Sequence, residues 1–431
     1  MITPIVNPEK CTWAKLQERP AVNKVTLNEL VASIYCEVEQ TGDEAVRNYN
    51  ASFGGISESN LLVDEATIEK ASKAIPPTLK SAIALAASNI QKFHESQKVP
   101  VTFVETSKGI TCWQKQTPIE KVGLYIPGGT APLFSTVLML GIPAKLAGCK
   151  EIVLCTPTNA NGEIAPEILY TANFLGIKTI YKAGGIQAIA ALVKGTDSIP
   201  AVNKIFGPGN QYVTAAKTYA QQAGVAIDMP AGPSELLVLA DETANSTFIA
   251  ADLLSQAEHG ADSQVVLVTT SSTLLAAVNE ELVKQLAVLP RKDTAAKALN
   301  NARFISFDSE SNAMMFVNKY APEHLILIGK NEREWANQVQ NAGSVFIGKY
   351  SAESCGDYAS GTNHTLPTAG FAKAYSGVNL ASFTKSITFQ EVSDVGLQAI
   401  GEAVELMAEA EGLQAHKNAI TVRLNSLNNE N

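Results

Sequence analysis

The sequence predicts an α/β protein in which helices connect the strands of parallel sheets. From Lys121 onward, short apolar strands alternate with helices, which is typical of parallel strands joined by helical crossovers. Nearly all of these strands end at a glycine or at a glycine-proline turn. The chain has 431 residues, of which 46% are hydrophobic and 17% are charged, so it is long enough for more than one globular domain.

Composition excludes several classes of protein. A net charge of −9 without a basic tract argues against a nucleic-acid partner, because phosphate binding depends on clustered lysine and arginine. The longest uncharged run, residues 122–144, contains Pro127, Pro132 and Pro143, which predict breaks rather than a membrane-spanning helix. The N-terminus lacks a signal-peptide pattern, and the 6 cysteines form no CxxC pair. We therefore expect a cytoplasmic protein without a membrane partner.

The first part of the chain is predicted to be mostly helical. An N-terminal arm of about 23 residues comes first. Apolar residues at helical spacing then predict helices over residues 26–39, 43–49 and 64–97, with a break at Pro76-Pro77. His94 falls in the polar end of the last of these helices.

The middle of the chain carries the strand-helix alternation. Strands are predicted at residues 122–126, 151–155, 179–182, 204–206 and 225–227, and helices at 133–146, 166–175, 186–193 and 211–222. Glycine turns follow at 127–129, 184–185, 207–209 and 231–233. Such turns let a ligand approach the backbone, and helix N-termini bind phosphate, so a nucleotide is the natural hypothesis. Tyr212 replaces the third glycine of a GxGxxG motif, however, so simple tight turns remain an alternative.

A second α/β region follows, with a strand at 236–239, a helix at 246–259 and a strand at 264–270. Further helices and strands continue to about residue 348, where a polar, glycine-bearing loop is predicted over residues 349–368. The tail from residue 390 is predicted to be helical, with a break at Gly412.

Histidine is scarce, and 4 of the 5 histidines lie between residues 259 and 416. Gln256 and His259 are three positions apart on a predicted helix, so both could hold a metal on one face, although spacing alone favours the alternative of a capped helix end. Glu323 and His324 are adjacent on a predicted loop before a strand at 325–328, and they point in different directions, which suits two proton-transfer roles. An exposed glutamate beside a packing histidine is the alternative.

Two polar segments add further candidates. In the loop around residues 353–364, Asp357 could bind a metal and Cys355 could be a nucleophile, although a small buried thiol is the more common state of cysteine. Residues 411–416 interrupt the terminal helices, where a solvated tail is the alternative. No segment matches HExxH or a cysteine zinc pattern, so spacing alone defines no metal site.

Taken together, these segments resemble the histidinol dehydrogenase family, which performs the last two oxidations of histidine biosynthesis. The resemblance rests on VGLYIPGG (122–129), GGIQAIAAL (184–192), IFGPGNQYVT (205–214), DMPAGPSE (228–235), LLSQAEHG (253–260), APEHL (321–325), SCGDYASGTNH (354–364) and EGLQAHKNA (411–419). Their order and spacing agree over essentially the whole chain.

The resemblance implies one zinc ion per subunit, with NAD as the second cofactor. The implied protein ligands of the metal are Gln256, His259, Asp357 and His416, a set that zinc or manganese could fill. The C-terminal histidine reaches the neighbouring subunit in the family, so an intertwined homodimer with sites completed in trans is implied. The implied NAD contacts are Tyr125, Gln187 and Asn210, and those with L-histidinol are Ser234, Glu411, His324 and the metal ligands.

The implied architecture is two incomplete, atypical Rossmann-like parallel-sheet domains with small helical extensions at both ends. The arm is residues 1–23, the NAD-binding domain is 121–235, and the catalytic domain combines 24–120 with 236–374. Residues 375–431 form a C-terminal helical extension that contributes to the partner subunit's active site.

The implied mechanism uses His324 as the base of both oxidations and Glu323 to activate the water that hydrates histidinal. A thiohemiacetal at Cys355 is the rival route, which we disfavour because no base that would activate the thiol is evident. Three other functions remain to be weighed: a related zinc and NAD dehydrogenase acting on another polar alcohol, a metal-dependent hydrolase, and a non-catalytic binding module.

Overall fold

A computed structural model describes residues 2–20, 24–55, 60–128 and 132–429. Contacts divide the chain into two compact units, which are Met1–Gln97 with Ile119–Phe383, and Lys98–Pro118 with Thr384–Asn431. Gly129, the last residue of the predicted turn at 127–129, and residue 23, the predicted end of the arm, lie outside the described residues. The boundaries of the NAD-binding and catalytic domains stay predictions.

Strands and helices alternate through most of the larger unit. The strands are β1 (Pro4–Val6), β2 (Phe103–Ser107), β3 (Ile110–Pro118), β4 (Lys121–Tyr125), β5 (Glu151–Thr156), β6 (Ile180–Lys182), β7 (Lys204–Phe206), β8 (Ala226–Ile227), β9 (Glu235–Ala240), β10 (Gln264–Thr269), β11 (Arg303–Ser306), β12 (His324–Ile328), β13 (Ser344–Ile347) and β14 (Thr384–Val392).

The helices are α1 (Trp13–Leu16), α2 (Lys24–Thr41), α3 (Asp43–Ser52), α4 (Glu65–Ala74), α5 (Pro77–Glu95), α6 (Phe134–Ala147), α7 (Pro166–Phe174), α8 (Gly185–Lys194), α9 (Gln211–Gln222), α10 (Ser246–Ala257), α11 (Ser272–Val288), α12 (Lys292–Leu299), α13 (Glu310–Tyr320), α14 (Glu332–Gln338), α15 (Glu353–Tyr358), α16 (Asp394–Ala410) and α17 (Gln414–Asn429). Within the described residues, none of them is long and apolar enough to cross a membrane.

A five-stranded parallel sheet has the order β6-β5-β4-β7-β8. Side chains on alternate positions enter different cores, so Leu124 packs in one hydrophobic cluster and Tyr125 in another. Burial on both faces explains why these strands are continuous apolar runs in the sequence. The chain leaves β4 toward β5 and β6 on one side, and β7 and β8 lie on the other. This change of direction opens a crevice at the carboxyl ends of β4 and β7.

A six-stranded parallel sheet has the order β1-β11-β10-β9-β12-β13. Its central strands β9, β10 and β12 are buried along their whole length. The arm supplies β1, in which Pro4 pairs with Phe304. The two parallel sheets and their helical crossovers confirm the predicted α/β class.

The prediction that residues 24–120 are mostly helical is wrong for residues 103–118, which form the hairpin β2-β3. This hairpin continues into an antiparallel sheet of order β14-β3-β2 in the smaller unit. The side chains of β2 and β14 are largely exposed, so these strands lack the apolar alternation that reveals a half-buried strand. Residues 390–392 likewise belong to β14 rather than to the predicted helical tail. The helices α16 and α17 follow, and they are separated at Gly412 as predicted.

The predicted loop at residues 349–368 contains a short helix, α15, and this is a second correction. The helix has 6 residues and includes Gly356, a poor helix former. A Cβ atom at Gly356 would lie 2.5 Å from the ring of Phe346, so close packing favours glycine there. Tertiary packing therefore outweighs local helix propensity in this segment.

Candidate active site

A small pocket lies at the amino ends of β9 and β12, with a volume of about 80 Å³. Its lining combines residues from both parallel-sheet regions: Leu133, Ser135, Pro208, Ser234, Gln256, His259, Glu323, His324, Glu353, Asp357, Tyr358 and His364. Six of the residues singled out from the sequence meet here, namely Ser234, Gln256, His259, Glu323, His324 and Asp357.

The sheet fixes the position of the Glu323-His324 pair. His324 is the first residue of β12, where it pairs in register with Leu236 on one side and Ser344 on the other. The preceding Ala321 has a left-handed backbone with φ 54°, which turns the chain sharply before the strand begins. The sequence prediction placed both residues in a loop before the strand, whereas the strand includes His324.

The imidazole of His324 is oriented by its neighbours. Its Nδ1 lies 3.3 Å from the main-chain oxygen of Glu235, and 3.6 Å and 3.7 Å from carboxylate oxygens of Glu323 and Glu353. Because a carbonyl oxygen can only accept, Nδ1 is the protonated nitrogen. Nε2 is buried, lies 3.6 Å from Asp357 Oδ1 and has no hydrogen-bond partner among the described residues. This arrangement leaves Nε2 as the atom that can accept a proton in the pocket.

The pocket concentrates buried carboxyl groups. Burial raises the pKa of Glu323 to about 8, and Glu323 Oε2 accepts a hydrogen bond of 2.8 Å from the Glu235 amide. Burial also raises the pKa of Glu353 to about 8. Burial by itself lowers the pKa of His324, but the surrounding carboxylates, Glu353 foremost, raise it well above its usual value. A positive charge in this pocket is therefore stabilised.

The same residues form a donor set for a divalent cation. Gln256 is completely buried, and both atoms of its amide lack a hydrogen-bond partner within the described part of the chain. His259, Glu353 and Asp357 each offer a ligand atom, and these atoms lie within 4.8 Å of one another. An unpaired buried amide is costly unless something binds it. Amide, carboxylate and imidazole donors suit zinc or manganese, so the residues present fit a metal.

Glu353 is the functional candidate to which sequence reasoning gave no role. It lies in α15, four positions before Asp357, so both carboxylates occupy one face of the helix. The signal was the i, i+4 spacing, but it has meaning only in a helix, and this segment was predicted to be a loop. The structure thus adds a third buried carboxylate to the pocket.

The remaining histidines separate by environment. His364 lines the pocket and joins two elements, because its Nδ1 lies 2.9 Å from the Asp357 carbonyl and its Nε2 lies 2.9 Å from Thr136 Oγ1. His94 was expected in a polar helix end, but it is completely buried, with Nδ1 2.9 Å from the carbonyl of Ile90. His94 is therefore a structural histidine.

The crevice at the carboxyl ends of the five-stranded sheet is larger, with a volume of about 810 Å³. It is lined by Tyr125, Gln187 and Asn210, the three residues implied as NAD contacts, and by glycines 128, 184, 185 and 209. Asn210 Oδ1 caps the N-terminus of α9. Gln187 Nε2 donates a 3.0 Å hydrogen bond to Asn50, a lining residue that sequence reasoning missed.

One turn connects the crevice with the small pocket. Pro208 lines the pocket, whereas Gly209 lines the crevice. Gly207 has φ 130°, and a Cβ atom there would lie 2.1 Å from the main-chain oxygen of Tyr125, so only glycine fits. The buried ion pair Lys217–Asp228 fixes this turn, because Lys217 donates to the Gly207 carbonyl and Asp228 accepts from the Gly207 amide.

Two predicted site residues lie in the smaller unit. His416 is near the start of α17, and Glu411 follows the end of α16. Both side chains are exposed within that unit. Their roles as a metal ligand and a substrate contact stay predictions.

Comparison with known proteins identifies close relatives. The family model for histidinol dehydrogenase matches residues 17–424. A histidinol dehydrogenase from Bacteroides thetaiotaomicron is 58% identical over 427 residues, which cover 99% of this chain and 100% of the relative. One from Bacteroides fragilis is 56% identical and covers 97% and 98%. The crystal structure of histidinol dehydrogenase from Elizabethkingia anophelis superposes with a TM-score of 0.96 at 55% identity, covering 99% of this chain and 98% of that chain.

These matches extend over nearly the whole length of both partners. They confirm the resemblance that the sequence motifs indicated. The chain belongs to the histidinol dehydrogenase family.

Proposed function

We propose that the protein oxidises L-histidinol through L-histidinal to L-histidine, using two molecules of NAD and one zinc ion per subunit. The observation that carries this proposal is the pocket in which a buried Glu323-His324 pair faces the donor atoms of Gln256 and Asp357. A nucleotide-sized crevice adjoins it through the turn at residues 207–209. The names of the relatives support the same substrate.

The buried carboxylates suit the chemistry of the substrate. L-histidinol carries an amine and an imidazole, and both are favoured next to negative charge. When bound, the metal supplies a Lewis acid that anchors the imidazole and amino nitrogens of the substrate. Gln256, His259, Asp357 and a neighbouring subunit's His416 would hold it, while Ser234 and Glu411 would contact the substrate. Holding histidinal between the two oxidations prevents release of a reactive aldehyde.

In the first oxidation, Nε2 of His324 takes the hydroxyl proton of histidinol. The carbon that bears the hydroxyl gives a hydride to NAD, so that histidinal and NADH form. The main-chain oxygen of Glu235 accepts a hydrogen bond from Nδ1, so Nε2 is the nitrogen that exchanges a proton with the substrate. The Glu235 carbonyl thus fixes the orientation and the tautomer of the His324 imidazole, and it does not compete for the proton that Nε2 takes.

In the second oxidation, Glu323 takes a proton from water as the water oxygen adds to the aldehyde carbon, and His324 returns the proton it took in the first oxidation to the aldehyde oxygen. The pKa of Glu323, which burial raises to about 8, suits proton exchange near neutral pH. His324 then takes a proton from the resulting gem-diol, and a hydride passes to the second NAD. L-histidine and a second NADH are the products, so four electrons are transferred in all.

A homodimer would complete each site. On one face of the small sheet, the apolar side chains of Phe103, Ile387 and Phe389 are exposed. Trp113 stacks on Phe389 at a centroid distance of 5.3 Å. Adjacent exposed apolar side chains favour contact with another protein surface, and a second copy of the chain supplies one by symmetry.

The defining test is turnover of L-histidinol with NAD, with and without a metal chelator. We expect two NADH for each L-histidine formed, loss of turnover after chelation, and recovery when zinc is restored. One NADH per substrate, or turnover that survives complete metal removal, contradicts the proposal. Hydrolysis without NAD would instead favour a metal-dependent hydrolase, and turnover of another alcohol alone would favour a related dehydrogenase.

Replacing Cys355 by alanine should leave kcat within about twofold of the wild type in both oxidations. The side chain of Cys355 is exposed, and within the described residues it is not part of the lining of the small pocket. The steady-state rate with histidinol and the single-turnover rate with histidinal measure the effect. Selective loss of histidinal oxidation would revive the thiohemiacetal route.

A further inference from the structure

The N-terminal arm places an arginine behind the catalytic pair. The guanidinium of Arg19 binds the Glu235 carboxylate through two contacts, Nε to Oε2 at 2.7 Å and Nη2 to Oε1 at 3.2 Å. Nη2 also donates a 2.7 Å hydrogen bond to the Tyr320 carbonyl, and the guanidinium lies over the Tyr320 ring at 3.7 Å. The Glu235 side chain is fully buried and that of Arg19 is 16% exposed. A pair of this kind holds a fixed geometry because both oxygens of the carboxylate are engaged.

Glu235 contacts both members of the catalytic pair through its main chain. Its amide donates a 2.8 Å hydrogen bond to Glu323 Oε2, and its carbonyl oxygen lies 3.3 Å from His324 Nδ1. One residue therefore fixes the carboxylate of Glu323 and the tautomer of His324, while its own side chain is held by Arg19.

Glu235 is also the first residue of β9, where the strand pairing begins. In the neighbouring strand β10, Glu235 pairs with Gln264, the first residue of that strand. At a strand end, fewer ladder hydrogen bonds restrain the peptide than in the middle of a sheet, so an anchored side chain restrains it further. A small displacement of this peptide would move both catalytic side chains together.

We propose that Arg19 is a positioning residue for the Glu323-His324 pair and acts through Glu235. This inference rests on the proposed function for its catalytic readout. Tyr320 belongs to the same arrangement, because its hydroxyl lies 3.1 Å from Glu235 Oε2 and 2.8 Å from Gln264 Oε1. The arm thus supplies a positioning residue for the catalytic pair in addition to an edge strand of the six-stranded sheet.

The test compares Arg19→Ala and Arg19→Lys with Arg47→Ala. This control removes another partly buried arginine, which forms an ion pair with Asp43. We expect Arg19→Ala to lower kcat for both oxidations by about tenfold to a hundredfold, because the reacting groups are displaced. Arg19→Lys keeps the charge but not the two-pronged contact, so its kcat should be intermediate. The KM for NAD should stay unchanged in both variants, since the nucleotide crevice lies at the other sheet.

Chemical rescue separates positioning from loss of stability. Added guanidinium ion, at concentrations that leave the melting temperature unchanged, should restore part of the kcat of Arg19→Ala, whereas sodium at equal ionic strength should not. Arg47→Ala should show a lower melting temperature but the kcat of the wild type. The inference is overturned if folded Arg19→Ala has the same kcat as Arg47→Ala. It is also overturned if both variants lose activity only in proportion to the loss of folded protein.

Crystal structures give a second readout that does not depend on turnover. In Arg19→Ala or Arg19→Lys, we expect the Glu235 peptide to be displaced and its contacts with Glu323 and His324 to lengthen. An unchanged peptide and unchanged catalytic side chains would contradict the inference. If the wild type fails to oxidise histidinol, the proposed function fails, and these structures alone decide whether Arg19 positions the pair.

Discussion

Replacing His324 by asparagine is expected to lower kcat by about 10²–10⁴-fold in both oxidations, the usual contribution of a positioned general base. Asparagine retains a polar group of similar size but has no basic nitrogen at neutral pH. Both oxidations lose rate because each removes a proton from oxygen as the hydride leaves. NADH formation should be followed with histidinol and, in a separate experiment, with histidinal as substrate.

Glu323→Gln is the matched variant for this experiment. It should mainly impair the oxidation of histidinal, because only that step requires an activated water. The amide oxygen of the introduced glutamine could still accept the hydrogen bond that the Glu235 amide donates to residue 323, so the local structure is preserved. Equal losses in both oxidations for Glu323→Gln, or a normal first oxidation in His324→Asn, would show that the roles are assigned incorrectly.

Mixing two inactive variants, His324→Asn and His416→Asn, is expected to restore activity. If His416 completes the site of the neighbouring subunit, a mixed dimer has one site with both defects and one intact site. Random reassortment of subunits should therefore recover about a quarter of the wild-type activity, because half of the dimers are mixed and each has one working site. The subunits are exchanged by refolding together or by coexpression, and the activity is measured per total protein.

The controls are the two variants carried separately through the same exchange, and both should remain inactive. His416→Asn alone should also bind zinc more weakly, which competition with a chromogenic chelator measures. If His416 served its own subunit, every site in a mixed dimer would carry one defect, and no activity would return. Absence of recovery in dimers shown to be mixed would therefore refute completion in trans.

The sequence alone determined the parts of this protein that depend on local pattern. The strands of the five-stranded sheet appear as apolar runs because both of their faces are buried, and the strand at 204–206 was predicted at its observed bounds. The family was recognised from short motifs such as APEHL, in which functional residues follow one another directly in the chain. The adjacent Glu323-His324 pair is of this kind, because its members are neighbours in the chain.

Tertiary structure decided what depends on contacts between distant segments. Arg19 and Glu235 are 216 positions apart, and Glu235 and Glu323 are 88 apart, so no local pattern links them. Glu353 lines the pocket from a short helix whose Gly356 packs closely against Phe346, a residue of β13. The hairpin β2-β3 depends on pairing with β14, some 270 residues further along. Local propensity specifies the elements, whereas the burial and hydrogen bonding of remote partners specify which side chains meet in the active site.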